Sequence, residues 1–130
     1  MSRRGPDDIQ WKACRSAVFE RDGHKCRMLR IISVSEAIAL KRAAGVLMNK
    51  NDPAHFLAVS ERPDLYCDVN NVCTLNRFSH SCLDSNKDPI TGSPISSENV
   101  FAWWLRILKG DKLQFRYLLN KGIIGDEYGR

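Results

Sequence analysis

Between Asp52 and Asp84 the sequence DPAHFLAVSERPDLYCDVNNVCTLNRFSHSCLD allows only short elements, and the rest of the chain must be arranged around them. Asn51-Asp52-Pro53 interrupts the helix before it, because proline disfavours helical geometry in the preceding residue. Ala54–Val59 then reads as a strand, Ser60–Asp68 as a polar loop containing Pro63, Val72–Leu75 as a second strand and Arg77–Ser85 as a helix. Two of the chain's three histidines fall here, His55 in the first strand and His80 in the helix.

Those residue types suit phosphodiester hydrolysis. A neutral imidazole titrates near neutrality and can take a proton from water, while a divalent cation acts as Lewis acid and template at the phosphate. Asn71 stands nine positions before His80, and Asp84 follows His80 by four, which places both side chains on one helix face. The set His55, Asn71 and His80, led in by Val18–Cys26 (VFERDGHKC), resembles the HNH or ββα-metal nuclease motif over about residues 17–90. By that resemblance His55 is the general base, Asn71 fixes the loop and orients His55, and His80 binds the metal, with Asp84 as a second ligand. One divalent cation is implied, Mg²⁺ first, with Mn²⁺, Ni²⁺ or Zn²⁺ as alternatives.

Two departures stand out. Ala54 occupies the position before the first histidine, where the family often has an aspartate ligand. Asp52 shares its strand face but lies about 7 Å back, too far to replace it directly, so water is left to fill that coordination position. Many relatives also hold a structural zinc with two Cys-x-x-Cys pairs. Here only Cys26 matches; Leu29, Asn76 and Ser79 stand at the other three positions, which argues against structural zinc and leaves packing to hold the motif. A cluster of Cys26, Cys67, Cys73 and Cys82 remains open but fits no usual knuckle spacing.

At 130 residues the chain has the length of one domain, and its 43% hydrophobic and 27% charged residues suit a folded core. Five cysteines, an odd number at irregular spacing, are no disulfide framework. With no apolar run of membrane-spanning length and no signal-peptide segment, a cytoplasmic location is expected, in a bacterial host if the origin is phage. Residues 1–50 hold 11 Lys/Arg against 5 Asp/Glu, so the positive charge lies before the motif. Arg15, Arg21, Lys25, Arg27 and Arg30, with Arg77 on the motif helix, are candidates for a phosphate-facing surface, against the alternative of a solvated face.

Elsewhere, Ser2-Arg3-Arg4 reads as a basic arm and Pro6-Asp7-Asp8 as a helix start, with Trp11, Cys14, Val18 and Phe19 as the apolar stripe and Asp22-Gly23 as the stop. Cys26–Ile32 reads as a short strand or irregular connection. Ser33 and Glu36 form a capping-box signature opening a helix towards Lys50, interrupted by Gly45. After the turn-rich Asp88–Pro94, Ser97 and Asp111 are expected to cap two helices, and the IGDEYGR tail to fray. Adjacent Trp103 and Trp104 cannot share a helix face, so one is a candidate surface for a protein partner, DNA or a second copy.

The expected fold is therefore α+β: one mostly helical domain over residues 1–130, built around a ββα unit at about 52–86, with a helical extension at about 97–121. The expected function is metal-dependent endonucleolytic cleavage of DNA. The alternative is a catalytically degenerate DNA-binding or interaction module of the same fold.

Overall fold

The computed structural model describes residues 8–129, with the side chain of Asp8 left out. The expected basic arm at Ser2-Arg3-Arg4 and the Pro6-Asp7 start lie outside them. The architecture is α+β: five helices around a two-stranded antiparallel sheet. In chain order these are α1 (Asp8–Arg21), α2 (Val34–Ala44), β1 (Asn51–His55), β2 (Val72–Asn76), α3 (Arg77–Asp84), α4 (Ser97–Lys109) and α5 (Lys112–Asn120), joined by short 3₁₀ turns. Among the described residues no helix is long and apolar enough to cross a membrane.

β2 is the centre of the fold. All five of its residues are buried, and both faces are covered. Val72 packs with Cys14 and Val18 of α1, whereas Cys73 and Leu75 enter the main core with Met28, Leu40, Ile107, Leu108 and Leu118. β1 pairs with it in the register His55 to Val72 and Asn51 to Asn76. The strand therefore starts three residues earlier than expected and ends at His55. Pro53 sits within it, opposite Thr74. The Thr74 N–H turns away from β1 and donates to the Asp22 carboxylate at 2.9 Å, so Pro53 falls at an outward-facing position and deprives the ladder of nothing.

Asp22 ends α1 and is 1% exposed. Beyond Thr74 it accepts both Arg21 donors, at 2.9 Å each, and Arg27 Nη1 at 3.2 Å. Arg27 is fully buried and continues to Gln114 Oε1 of α5 at 2.7 Å and to the Ile107 carbonyl of α4 at 2.9 Å. Burial would push the Asp22 carboxyl up, but Arg21, the Thr74 amide and Arg27 hold it below the usual carboxylate range. Residues 27–30 form a 3₁₀ turn rather than a strand, and that turn carries Arg27 inward.

The Ser33–Glu36 capping box is complete. α2 stops at Ala44, short of Lys50, because Gly45 adopts φ 56 and ψ −130, a conformation that glycine alone takes readily. The following turn, Gly45–Asn49, is the part that packs on α3. Ser96 rather than Ser97 caps α4, and Asp111 caps α5 as expected. Trp104 is buried against Phe56, while Trp103 faces outward under the Arg106 guanidinium, 4.3 Å from its ring centre. The tail does not fray at its start: Ile124 is 1% exposed in the core, and Tyr128 meets Phe101 edge-on.

Removing Arg27 leaves Asp22 and Gln114 with unmet partners inside the protein. Arg27→Ala is expected to cost about 3–5 kcal/mol, lowering the melting temperature by roughly 10–20 °C. Lys25→Ala, exposed two residues away, should change stability by less than about 0.5 kcal/mol. Thermal denaturation of the two variants by circular dichroism tests the contrast.

Candidate catalytic cleft

His55 is the last residue of β1, and the chain beyond it is held by Asn71. The Phe56 N–H donates to the Asn71 carbonyl at 2.8 Å. The fully buried Asn71 side chain then accepts from Leu57 N–H at 2.8 Å and donates to the carbonyls of Leu57 at 3.0 Å and Leu65 at 3.3 Å. One amide thus extends the sheet ladder past its end and clips the far side of the 57–65 loop. The loop's tip, from Ala58 to Asp64, is exposed or half-buried, while Leu65 and Tyr66 at its return are buried. Asn71 makes no bond to the imidazole itself and acts on it through the loop.

The loop returns Tyr66 to His55, whose Nε2 lies 2.9 Å from the Tyr66 carbonyl oxygen. A carbonyl can only accept, so Nε2 carries the proton and Nδ1 keeps its lone pair. The ring is offset against Trp11 at 5.1 Å and Tyr66 at 5.3 Å, with interplanar angles of 20° and 11°. Burial outweighs the Tyr66 hydrogen bond and holds the His55 pKa below its ordinary 6.5, so the imidazole is neutral at pH 7.

His80 projects from α3, which starts where Asn76 caps it by accepting the Ser79 N–H at 2.8 Å. Its Nδ1 lies 3.1 Å from Asp52 Oδ2. A carboxylate held ionised accepts, so Nδ1 donates to it. Burial would raise the Asp52 carboxyl, but Arg77, at 3.0 Å, and His80 keep it low. The His80 Nε2 lies 3.4 Å from Asp84 Oδ2, on the same face of α3. A carboxylate on the far nitrogen is the usual support for a metal-binding histidine. Asp52, too far back along β1 to stand in for Ala54, thus orients His80 instead.

His55, His80 and Asp84 line one cleft of about 590 Å³, with Glu61 beside them and Phe101 and Trp104 forming the α4 wall. His80 Nε2 and Asp84 fit a divalent cation that keeps most of its waters. Ala54, fully buried, adds no donor, and among the described residues no group of three or more His, Cys, Asp or Glu side chains is placed to hold a metal. The five cysteines are free thiols. Cys26 accepts from Asn76 N–H at 3.0 Å and from Asn76 Nδ2 at 3.3 Å; Asn76 Nδ2 also donates to Ser79 Oγ at 3.0 Å. Three of the four positions aligned with zinc ligands in the resemblance are therefore joined in space by hydrogen bonds, not by packing alone.

The basic candidates separate. Arg15, Lys25 and Arg30 are exposed. Arg27, fully buried, is unavailable to phosphate. Arg21 is spent on Asp22 and the carbonyls of Val69 and Val72, at 2.7 Å each. Arg77 remains half exposed beside the cleft while bound to Asp52. Trp11, Tyr66 and Asp52 are the site residues that sequence patterns missed; an aspartate two positions from an expected ligand was the one available signal. No family model, curated protein or solved structure matches the chain.

Asn71→Ala strands one N–H and two carbonyls, at a cost of roughly 2–3 kcal/mol. The Leu57 amide is expected to lose its hydrogen-exchange protection in this variant and to keep it in Asn71→Asp, which retains the acceptor. Equal protection in both would refute the clip.

Proposed function

We propose that the chain is a metal-dependent nuclease that hydrolyses DNA phosphodiester bonds in the cleft between the 57–65 loop and α4. One observation carries this reading: the two histidines line one cleft, His55 held through Nε2 by the Tyr66 carbonyl and His80 set between the carboxylates of Asp52 and Asp84. His55 Nδ1 takes a proton from water, which then attacks the phosphate. His80 and Asp84 hold the cation, and Asp52 keeps the His80 ring turned so that Nε2 faces Asp84. Bound there, a divalent ion supplies charge stabilisation at the phosphate and the leaving oxygen. Arg77, beside the cleft, adds positive charge. The Cys26, Asn76 and Ser79 contacts support the ββα resemblance, since positions matched by sequence alone also meet in space.

One feature favours a second reading, a DNA-binding module without turnover: only two protein ligands face the cation, because Ala54 offers none. Supercoiled plasmid incubated with Mg²⁺, Mn²⁺ or EDTA separates the two. The nuclease converts it to nicked or linear DNA with metal alone, and His55→Ala and His80→Ala abolish conversion; DNA binding without cleavage under any metal establishes the module.

The base must be neutral, and burial lowers its pKa, so activity is fully present above pH 6.5 and is lost as the pH falls through the depressed value. The acid limb of the rate profile is expected below 6.5. Trp11→Ala, which opens the ring to water, should move that limb upward towards 6.5. A limb above 6.5 in the parent protein would assign the base elsewhere.

A further inference from the structure

The cleft does not end at its α4 wall. Ser97, Phe101, Leu105 and Lys109 recur at every fourth position and so form one face of α4. Ser97 and Phe101 line the catalytic cleft and also the depression beside it, which Leu105 and Tyr128 complete. Tyr128 in turn borders a third depression lined by Lys109, Lys112, Phe115 and Arg116. Together these three depressions follow one another along α4, sharing Ser97, Phe101 and Tyr128, over about 18 Å, the rise of twelve helical residues. The near part of this groove is aromatic: Phe101 and Tyr128 meet edge-on with ring centres 5.3 Å apart, and Tyr128 is 38% exposed. Its far end is cationic. Lys109, Lys112 and Arg116 are exposed, and among the described residues none of them is in an ion pair. Glu98 is the one carboxylate among the residues lining the aromatic part, and Asp126 and Glu127 precede Tyr128 in the chain.

We propose that this groove binds a single unpaired nucleic-acid strand leading out of the cleft, with bases against Phe101 and Tyr128 and phosphates at Lys109, Lys112 and Arg116. The assignment rests on the nuclease reading of the cleft and adds the substrate class. Ring faces and apolar walls receive bases only when those bases are unstacked, and an aromatic stretch that leads into a cationic one suits a single strand. A duplex presents phosphates at its surface and has no use for the aromatic part. Charge complementarity also favours this surface over the N-terminal basic cluster, in which Arg27 is buried and Arg21 is committed to internal partners.

The test is fluorescence anisotropy in EDTA, with a labelled 12-nucleotide single strand and the matching duplex, across a range of salt concentrations. The single strand should bind tighter than the duplex. In Lys109→Ala/Lys112→Ala/Arg116→Ala the slope of log Kd against log salt should fall by about 2, the loss of three single-strand phosphate contacts. Phe101→Leu, which keeps an apolar core residue, should weaken single-strand binding by roughly tenfold and leave the slope unchanged. An unchanged slope in the triple variant, a slope carried instead by Arg15→Ala/Lys25→Ala/Arg30→Ala, or equal affinity for duplex would overturn the proposal. Because no metal is present, binding with the expected slope in a protein that never cleaves would sink only the nuclease reading, and plasmid cleavage with an unchanged slope would sink only the strand path.

Discussion

One buried carboxylate organises the fold. Asp22 lies at the end of α1, yet its oxygens receive the Thr74 amide of β2 and two guanidinium groups, one of which passes on to α4 and α5. The helical extension is thereby referenced to the same strand that positions the cleft. An ion pair this deep gains little net stability over apolar packing of equal volume, since desolvation offsets most of the attraction. Its contribution is positional: the donors and acceptors meet in only one register of α1, β2 and α5.

The cleft follows a parallel logic with different partners. His55 is oriented by a backbone carbonyl and kept neutral by its burial; His80 is oriented by the Asp52 carboxylate, with that of Asp84 at its other nitrogen. Identical side chains thus acquire different surroundings from the group behind each one. Neither partner is close in sequence: Tyr66 is 11 residues from His55, and Asp52 is 28 from His80.

That separation also sets what could be read from sequence. β2, α3, the Ser33–Glu36 box and the Asp111 cap were legible because each depends on neighbours within a few residues. The α+β class followed from them, while the grouping of His55, His80 and Asp84 came from the motif that the stretch resembles. β1 was misplaced because Pro53 was taken as a breaker, and its harmlessness depends on where the Thr74 amide points. Arg27 was assigned to a phosphate surface because its partner Gln114 lies 87 residues away, and a lone arginine in a turn carries no mark of burial. The polar loop was legible by composition, but the clip that Asn71 makes to Leu57 and Leu65 at its two ends was not, because it joins residues 14 and 6 positions apart.

The clasp of Cys26, Asn76 and Ser79 has a consequence for how the motif is held together. Its junction between turn, strand and helix closes through thiol, amide and hydroxyl groups that the chain itself supplies. Stripping the solution of divalent ions should silence any cation-dependent chemistry while leaving the scaffold intact. Any cation taken up in the cleft would then bind at a separate place, with no part in closing this junction.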